Sequence, residues 1–146
     1  MDLEQAVKDF REQFEGKLSE AELAAAIAQI EKAEADEKVG YGYYAHGAVA
    51  SLVFYLQFEL NACGHDFFGK AGGASLPGGG ALFGTLFIAD GHTADELFEK
   101  TNAFWFTCAL TYTALYFLDG NTLLGHFQSG SVSTVLGGGG GSGSWK

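Results

Sequence analysis

The sequence is poor in proline, cysteine and basic residues, and each shortage narrows what the protein can be. Its 146 residues include one proline, two cysteines and eight lysines and arginines, against 18 aspartates and glutamates. The basic residues form no run and the formal net charge is −10. We expect no nucleic-acid partner, because phosphate binding needs clustered lysine and arginine. Purely electrostatic attraction to anionic lipid is disfavoured for the same reason.

Long apolar runs are also missing. No stretch approaches the roughly 18 apolar residues that a spanning helix needs, so no transmembrane segment is predicted. The acidic N-terminus lacks the basic flank and apolar block of a secretory signal, which leaves either an intracellular protein or a mature, exported form. Cys63 and Cys108 are too few for a disulfide framework, and the sequence leaves their pairing open.

The charged residues and the glycines are separated along the chain. Residues 1–39 carry 16 of the 26 charged residues (8 basic plus 18 acidic) and one of the 22 glycines, and residues 40–146 carry the rest. Helical spacing of apolar residues in the first segment predicts helices over Asp2 to about Glu15 and about Ser19 to Asp36. We predict a charged helical arm over residues 1–39 and a glycine-rich β domain over residues 40–146. The narrow apolar stripes leave open whether the arm packs on that domain or mediates dimerisation.

Beyond the arm, apolar residues alternate along short stretches, as they do in half-buried β-strands. In the second stretch Phe54, Leu56, Phe58 and Leu60 share one face, which we expect to be buried. The boundary between the first two strands is not marked by turn residues. The predicted strands are Tyr43–Leu52, Val53–Asn61, Phe67–Ala71, Ala81–Ala89, Ala103–Leu110, Thr111–Leu118, Thr122–Gln128 and Ser131–Leu136.

One short helix interrupts the predicted strands. Thr93 and Glu96 form a capping box, which predicts a helix over about Ala94–Lys100, between strands four and five. A closed sheet has no exposed edge, which suits strands as uncharged as these. The predicted fold is therefore mainly β: a compact eight-stranded antiparallel β-barrel with one short helix, preceded by a helical N-terminal arm.

The stretch between predicted strands three and four is unusually rich in glycine. Six of the nine residues 72–80 are glycine or proline. Walker phosphate loops need a lysine after the glycines and a following helix, and neither is present. We therefore predict a structural crossing that closes the barrel, and a second turn element follows predicted strand six. The predicted turn and closure residues are Gly72, Gly73, Pro77, Gly78, Gly79, Gly80, Asp119 and Gly120.

No pattern of catalytic or metal-binding residues is recognisable. There is no GxSxG elbow for a serine nucleophile. Cys63 and His65 could ligate a metal, but structural zinc needs four ligands and no second such pair occurs. We predict no catalytic, metal-binding or cofactor-binding residues, no cofactor, and a protein that is not an enzyme.

Four segments carry a resemblance to a known family. They are AHGAVASLVFY (45–55), FFGKAGGASLPGGGALFGTLF (67–87), FWFTCALTYTALYFLDGNTLLGHFQSGSVSTV (104–135) and GGGGGSGSW (137–145). Together they resemble the Vap family, the virulence-associated proteins of actinobacterial intracellular pathogens. The resemblance spans about residues 41–146. It identifies the glycine-rich ending as native sequence, in which we expect the continuation of the last strand.

The resemblance implies Greek-key connections in the barrel and a non-enzymatic, secreted protein that alters host endolysosomal compartments. The implied partner is an unknown host membrane lipid or host protein, contacted through the barrel surface, and we expect a monomer. Tyr55, Phe83 and Trp105 are the candidate contact residues, provided that their side chains point outward. Two alternatives are a carbohydrate-binding glycine-rich β module and a non-pathogenic, cytoplasmic homologue with a structural or interaction role.

The implied location also suggests a role for one histidine. His126 lies beside a glycine in a predicted strand, and imidazole titrates near the pH of an acidifying vacuole. We therefore predict that His126 is a titrating group at one end of the barrel.

Overall fold

The structure, a computed structural model, describes the β domain almost completely. Residues 42–72, 77–108 and 112–146 are described, although only the backbone is described for 131–133. In the arm the described positions are 4, 7, 8, 11, 12, 15, 16, 19–21, 23, 24, 27, 28, 31 and 35. All of these except Glu15, Gly16 and Ser19 have helical backbone, and much of the two predicted arm helices lies outside the described residues.

The β domain is an eight-stranded antiparallel barrel. The order around the closed barrel is β1-β2-β3-β8-β5-β6-β7-β4, with β4 pairing back to β1, which confirms the predicted fold class. Its elements are β1 (Tyr43–Ser51), β2 (Tyr55–Ala62), β3 (His65–Gly72), β4 (Gly78–Ile88), α1 (Ala94–Lys100), β5 (Ala103–Cys108), β6 (Tyr112–Asp119), β7 (Thr122–Ser133) and β8 (Gly137–Trp145). The short helix α1 has the predicted bounds and lies between β4 and β5.

The last two strands differ from the prediction. The two stretches predicted as separate strands, Thr122–Gln128 and Ser131–Leu136, are mostly one long strand, β7. The eighth strand is Gly137–Trp145, which pairs with β3 on one side and β5 on the other. It has almost no apolar side chains, so its position is fixed by backbone pairing. A Cβ atom at Gly141 would overlap the backbone at Lys70, so strand β8 can lie this close to β3 only with glycine there.

Aromatic rings fill the barrel interior. Phe67 is fully buried and lies at the centre of the cluster. Its ring centroid is 5.4 Å from that of Phe104, 5.0 Å from Phe117 and 5.4 Å from Trp145. Two of these contacts are edge-to-face, the arrangement that the ring quadrupole favours. The core therefore ties β3, β5, β6 and β8 together.

Helix α1 covers one end of that core. Thr93 accepts a hydrogen bond from the Glu96 amide at 3.2 Å, as the capping box predicts. Leu97 is fully buried in the core cluster, and Phe98 packs against it. The Phe98 ring also lies 4.1 Å from the His65 ring in a stacked arrangement.

The predicted closure residues occupy strand ends and turns. Gly72 ends β3, whereas Gly78, Gly79 and Gly80 lie inside β4, where they pair with β1. Strands β3 and β4 are not neighbours, because β2 and β1 lie between them, so the two strands do not form a hairpin. Gly73 lies outside the described residues. The other three are Pro77 just before β4, Asp119 at the end of β6, and Gly120 in the tight turn to β7, with φ 60°.

Candidate functional site

The two ends of the barrel differ sharply in charge. Odd-numbered strands finish, and even-numbered strands begin, at one end, which we call the apolar end. The sequence of its four connections, 52–54, 73–77, 109–111 and 134–136, contains no charged residue. Only ten of the 26 charged residues follow residue 40. Eight of them belong to the opposite, charged end: Asp66, Asp90, Asp95, Glu96, Glu99, Lys100, Asp119 and Lys146.

The turn between β1 and β2 presents large apolar side chains to solvent at the apolar end. Leu52 is 45 % exposed, Val53 38 % and Phe54 79 %. Leu136, in the connection between β7 and β8, is 56 % exposed. Because Ser51 pairs with Leu56, the chain reverses within four residues, and these side chains cannot reach the core. Four exposed aliphatic or aromatic side chains therefore lie at the apolar end. We call these residues, Leu52, Val53, Phe54 and Leu136, the apolar tip.

This turn corrects the prediction for Phe54. The alternation placed Phe54 on the buried face with Leu56, Phe58 and Leu60, and the latter three are buried. The reversal instead occupies residues 52–54, so the alternation begins only at Tyr55. Nothing in the sequence Leu-Val-Phe signals a turn, which is why the strongest surface feature of the barrel was missed.

The backbone of the turn is strained. The Phe54 amide donates a hydrogen bond to the Leu52 carbonyl at 3.0 Å, and the Leu52 amide donates to the Tyr55 carbonyl at 2.9 Å. Val53 has φ 76°, the value of the rare γ-turn with positive φ. A β-branched residue is a true outlier there, and such strain costs on the order of 1–3 kcal/mol. Strain of this kind, at a turn that also exposes three apolar side chains, marks the turn as a functional candidate.

Amphipathic side chains lie beside the apolar tip. The Lys70 Nζ atom is 5.2 Å from the centre of the Tyr55 ring, and Tyr55 is half-buried at the start of β2. Tyr112 begins β6, is 44 % exposed, and donates its hydroxyl hydrogen to the Gln128 side chain. Tyrosine and lysine side chains have apolar bodies and polar tips, which suits the boundary between an apolar phase and water.

The other two predicted contact residues lie on the barrel wall. Trp105 is 61 % exposed, between Tyr116 and Gly140 in the neighbouring strands. Phe83 points away from the core cluster, but it is only 4 % exposed. Phe83 is therefore wrong as an exposed contact, because strand alternation predicts the direction of a side chain and not what covers it.

The described titratable and thiol groups are not grouped into a reactive site. Cys63 is exposed, Cys108 is buried, and neither forms a disulfide. Burial raises the pKa of the Cys108 thiol, opposed by a hydrogen bond with Thr113. Within residues 42–72, 77–108, 112–146 and the described arm positions, no three His, Cys, Asp or Glu side chains are grouped to hold a metal ion. Nor does that part of the chain contain a helix long and apolar enough to cross a bilayer.

His126 is not at a barrel end, contrary to the prediction. It lies within β7, with its ring centroid 5.1 Å from that of Phe87 and 6.1 Å from that of Tyr116. Its Nδ1 atom is 3.0 Å from the Gln128 amide nitrogen. Burial between these rings lowers the pKa of His126.

The eight-stranded closed barrel agrees with the comparison with known proteins. Residues 2–146 match the family described as Rhodococcus equi virulence-associated protein, and the chain belongs to that family. No match was found among curated proteins.

Two solved structures from the intracellular pathogen Rhodococcus equi are similar to this chain. Virulence-associated protein VapB is 42 % identical, with a TM-score of 0.65, over 71 % of this chain and 94 % of that one. Virulence-associated protein VapD is 31 % identical, with a TM-score of 0.63, over 71 % of this chain and 96 % of that one. The matched share is about the length of residues 42–146.

Proposed function

We propose that this protein is a non-enzymatic, secreted virulence-associated protein that acts by binding the surface of a host endolysosomal membrane through its apolar end. The observation that carries the proposal is the exposed Leu52, Val53 and Phe54 turn at a barrel end whose connections carry no charge. The relatives VapB and VapD are described as virulence-associated proteins of an intracellular pathogen, which supports a host target.

The apolar tip suits shallow and reversible insertion. Burying a large apolar side chain contributes about 1.5–3 kcal/mol when the burial is complete. Three residues of one turn, together with Leu136 at the same barrel end, would supply several times that amount at most. For comparison, a single myristoyl chain gives an association constant on the order of 10⁴ M⁻¹. We therefore expect weak binding, which nearby Tyr55 and Tyr112 support at the boundary with water.

The charge of the protein predicts which lipids it prefers. The net charge of −10 opposes an anionic surface, while the tip itself is uncharged. Binding should therefore occur on zwitterionic phosphatidylcholine vesicles and persist at high salt, because hydrophobic insertion is not screened. On vesicles with added phosphatidylserine, salt should strengthen binding by screening the repulsion.

Co-sedimentation with phosphatidylcholine vesicles tests the proposal. Phe54→Ser should lower the partition coefficient about tenfold, since it removes one large apolar side chain from the tip. Phe68→Ser is the matched control, because Phe68 is 45 % exposed on the wall of β3. Equal effects of the two substitutions, or no binding by the parent chain, would reject membrane insertion. In that case a host protein would become the candidate partner of the tip.

A second candidate function rests on a different surface. Trp105 stands 61 % exposed beside Tyr116, Thr107 and the side-chain-free strand segment Gly138–Gly140. An exposed indole next to a flat glycine strip can stack on the face of a sugar ring. A glycan array with the parent chain and Trp105→Ala tests this function, because the substitution should abolish sugar binding. Vesicle binding should be unchanged in that variant, which distinguishes the two functions.

A further inference from the structure

The outer wall of β4 is covered, whereas the outer wall of β3 is exposed at Phe68. The residues that point inward from β4 include Leu82 and Leu86, which belong to the core cluster. Phe83 and Thr85 alternate with them and point outward, yet they are 4 % and 2 % exposed. Phe68 occupies the equivalent outward position on β3 and is 45 % exposed. A phenylalanine on the outer face of the barrel therefore stays about half exposed when only strand pairing surrounds it. We infer that another part of the chain covers Phe83.

Thr85, on the same wall, is buried beside the residue that leads into β1. The Thr85 hydroxyl oxygen is buried and, among the described residues, has no hydrogen-bond partner. Gly42 lies against it, since a Cβ atom there would be 2.5 Å from the Thr85 methyl carbon and 3.3 Å from the Phe87 ring. Gly42, which leads into β1, therefore adjoins the outer wall of β4 at Thr85 and Phe87.

The arm contains a matching apolar stripe. Leu23 and Ile27 are 2 % and 7 % exposed, whereas Ala24 and Ala28 beside them are exposed. The Leu23 amide donates a hydrogen bond to the Ser19 carbonyl at 2.9 Å, the i to i−4 bond of an α-helix. Residues four apart lie on the same helix face, so Leu23 and Ile27 form one buried stripe, and the other described positions from residue 20 to 35 are exposed.

We propose that the Leu23–Ile27 stripe packs on the outer wall of β4 at Phe83 and Thr85, and that the arm is a displaceable cover of this wall. Each of the two surfaces supplies the apolar side chains that would bury the other. The 15 residues from Ile27 to Gly42 can span up to about 50 Å when extended, so the tether does not limit the contact. The occupant of the wall is thus a segment of the same chain.

This contact is independent of the apolar end. It lies on the wall, whereas the proposed membrane contact lies at the tip, so either can fail without the other. Among the described arm residues two side chains form the stripe, and an element held by few buried apolar contacts opens more readily than the barrel core. When the arm leaves, Phe83 becomes an exposed aromatic on a wall of four adjoining strands, β1, β4, β7 and β6. The arm therefore controls access to a second interaction surface.

Thiol accessibility in the full chain tests the cover. Both reporters are made in a Cys63→Ser background. Phe83→Cys reports on the covered outer wall of β4, and Phe68→Cys reports on the exposed outer wall of β3. Leu23→Asp with Ile27→Asp should make the thiol at position 83 react at least about tenfold faster with a maleimide, because the apolar contact is lost. Ala24→Asp with Ala28→Asp adds the same charge to the exposed helix face and should change nothing.

The reaction at position 68 should be fast and unchanged in every background. Thr85→Cys provides a second reporter if Phe83→Cys does not fold, as judged by near-ultraviolet circular dichroism. The proposal is overturned if the reporter on β4 reacts as fast as position 68 in the intact chain. It is equally overturned if that reporter stays protected when Leu23 and Ile27 carry aspartate.

Discussion

The Phe54 amide donates a hydrogen bond to the Leu52 carbonyl across a single residue, Val53. That bond holds a β-branched residue at φ 76° and turns Phe54 out of the barrel, to 79 % exposure. A strand with alternating apolar residues would have buried Phe54. The strained turn is thus the reason why large apolar side chains are exposed to solvent at this end of the barrel, in addition to those buried in the core.

Val53→Gly should relieve this strain. Glycine adopts positive φ without steric cost, although it loses more entropy on folding, by roughly 0.5–1 kcal/mol. Relief of about 1–3 kcal/mol outweighs that loss, so we expect a net gain in the free energy of unfolding on the order of 1 kcal/mol. Urea denaturation measures it. Val53→Ala is the control, because it removes apolar area but keeps the strained backbone, and it should be no more stable than the parent.

Lys70→Glu should weaken binding to vesicles that contain anionic lipid. Lys70 is the basic residue beside the apolar end, whereas Lys100 and Lys146 belong to the charged end. A basic residue near an anionic surface contributes about 1 kcal/mol, and the new carboxylate is repelled as well, so this charge reversal should lower binding at least about fivefold. Lys146→Glu makes the same charge change at the far end. A comparable loss in that control would mean that the apolar end does not face the lipid.

Gly84→Ala should destabilise the barrel strongly. A Cβ atom at Gly84 would overlap the Gln128 carbonyl oxygen and approach the Ser129 backbone, so β4 and β7 would have to move apart. Overpacking of this kind costs about 1–3 kcal/mol or more. Gly72→Ala is the control, because a Cβ atom there would meet nothing within 4 Å. Thermal unfolding compares the two, and equal melting temperatures would contradict the tight approach of β4 to β7.

Stability should fall on acidification, and His126 should account for part of the fall. Burial lowers the folded-state pKa of His126 below its ordinary value of about 6.5. As the pH drops through 6.5 the unfolded chain takes up a proton first, so stability is lost between that pH and the lower folded-state pKa. Melting temperatures at pH 7.5 and 5.5 measure the fall. His126→Gln should show a smaller drop than the parent, and an unchanged drop would contradict the assignment.

Some elements could be predicted from the sequence because local signals specify them. The bounds of α1 follow from the Thr93 and Glu96 capping box, and the turn at Gly120 follows from an Asp-Gly pair that favours positive φ. These signals act within a few residues. Alternation likewise identified Leu56, Phe58 and Leu60 as buried.

The features missed depend on contacts made elsewhere. Strand β8 has no apolar alternation, because the backbones of β3 and β5 hold it in place. Phe54 was assigned to the core because its turn has no turn-forming residues. The burial of Phe83 depends on what covers the outer wall of β4. The sequence of one strand does not show which distant segment packs on it.

The pairing of Asp66 with Lys146 has a practical consequence. The Lys146 amide donates to the Asp66 carbonyl at 2.7 Å and the Asp66 amide donates back at 2.9 Å, which anchors Lys146 at the charged end. A fluorophore or an affinity handle attached after Lys146 would therefore project from the face opposite Phe54. Such a label can report the depth and orientation of the barrel on a vesicle without altering the surface that touches it.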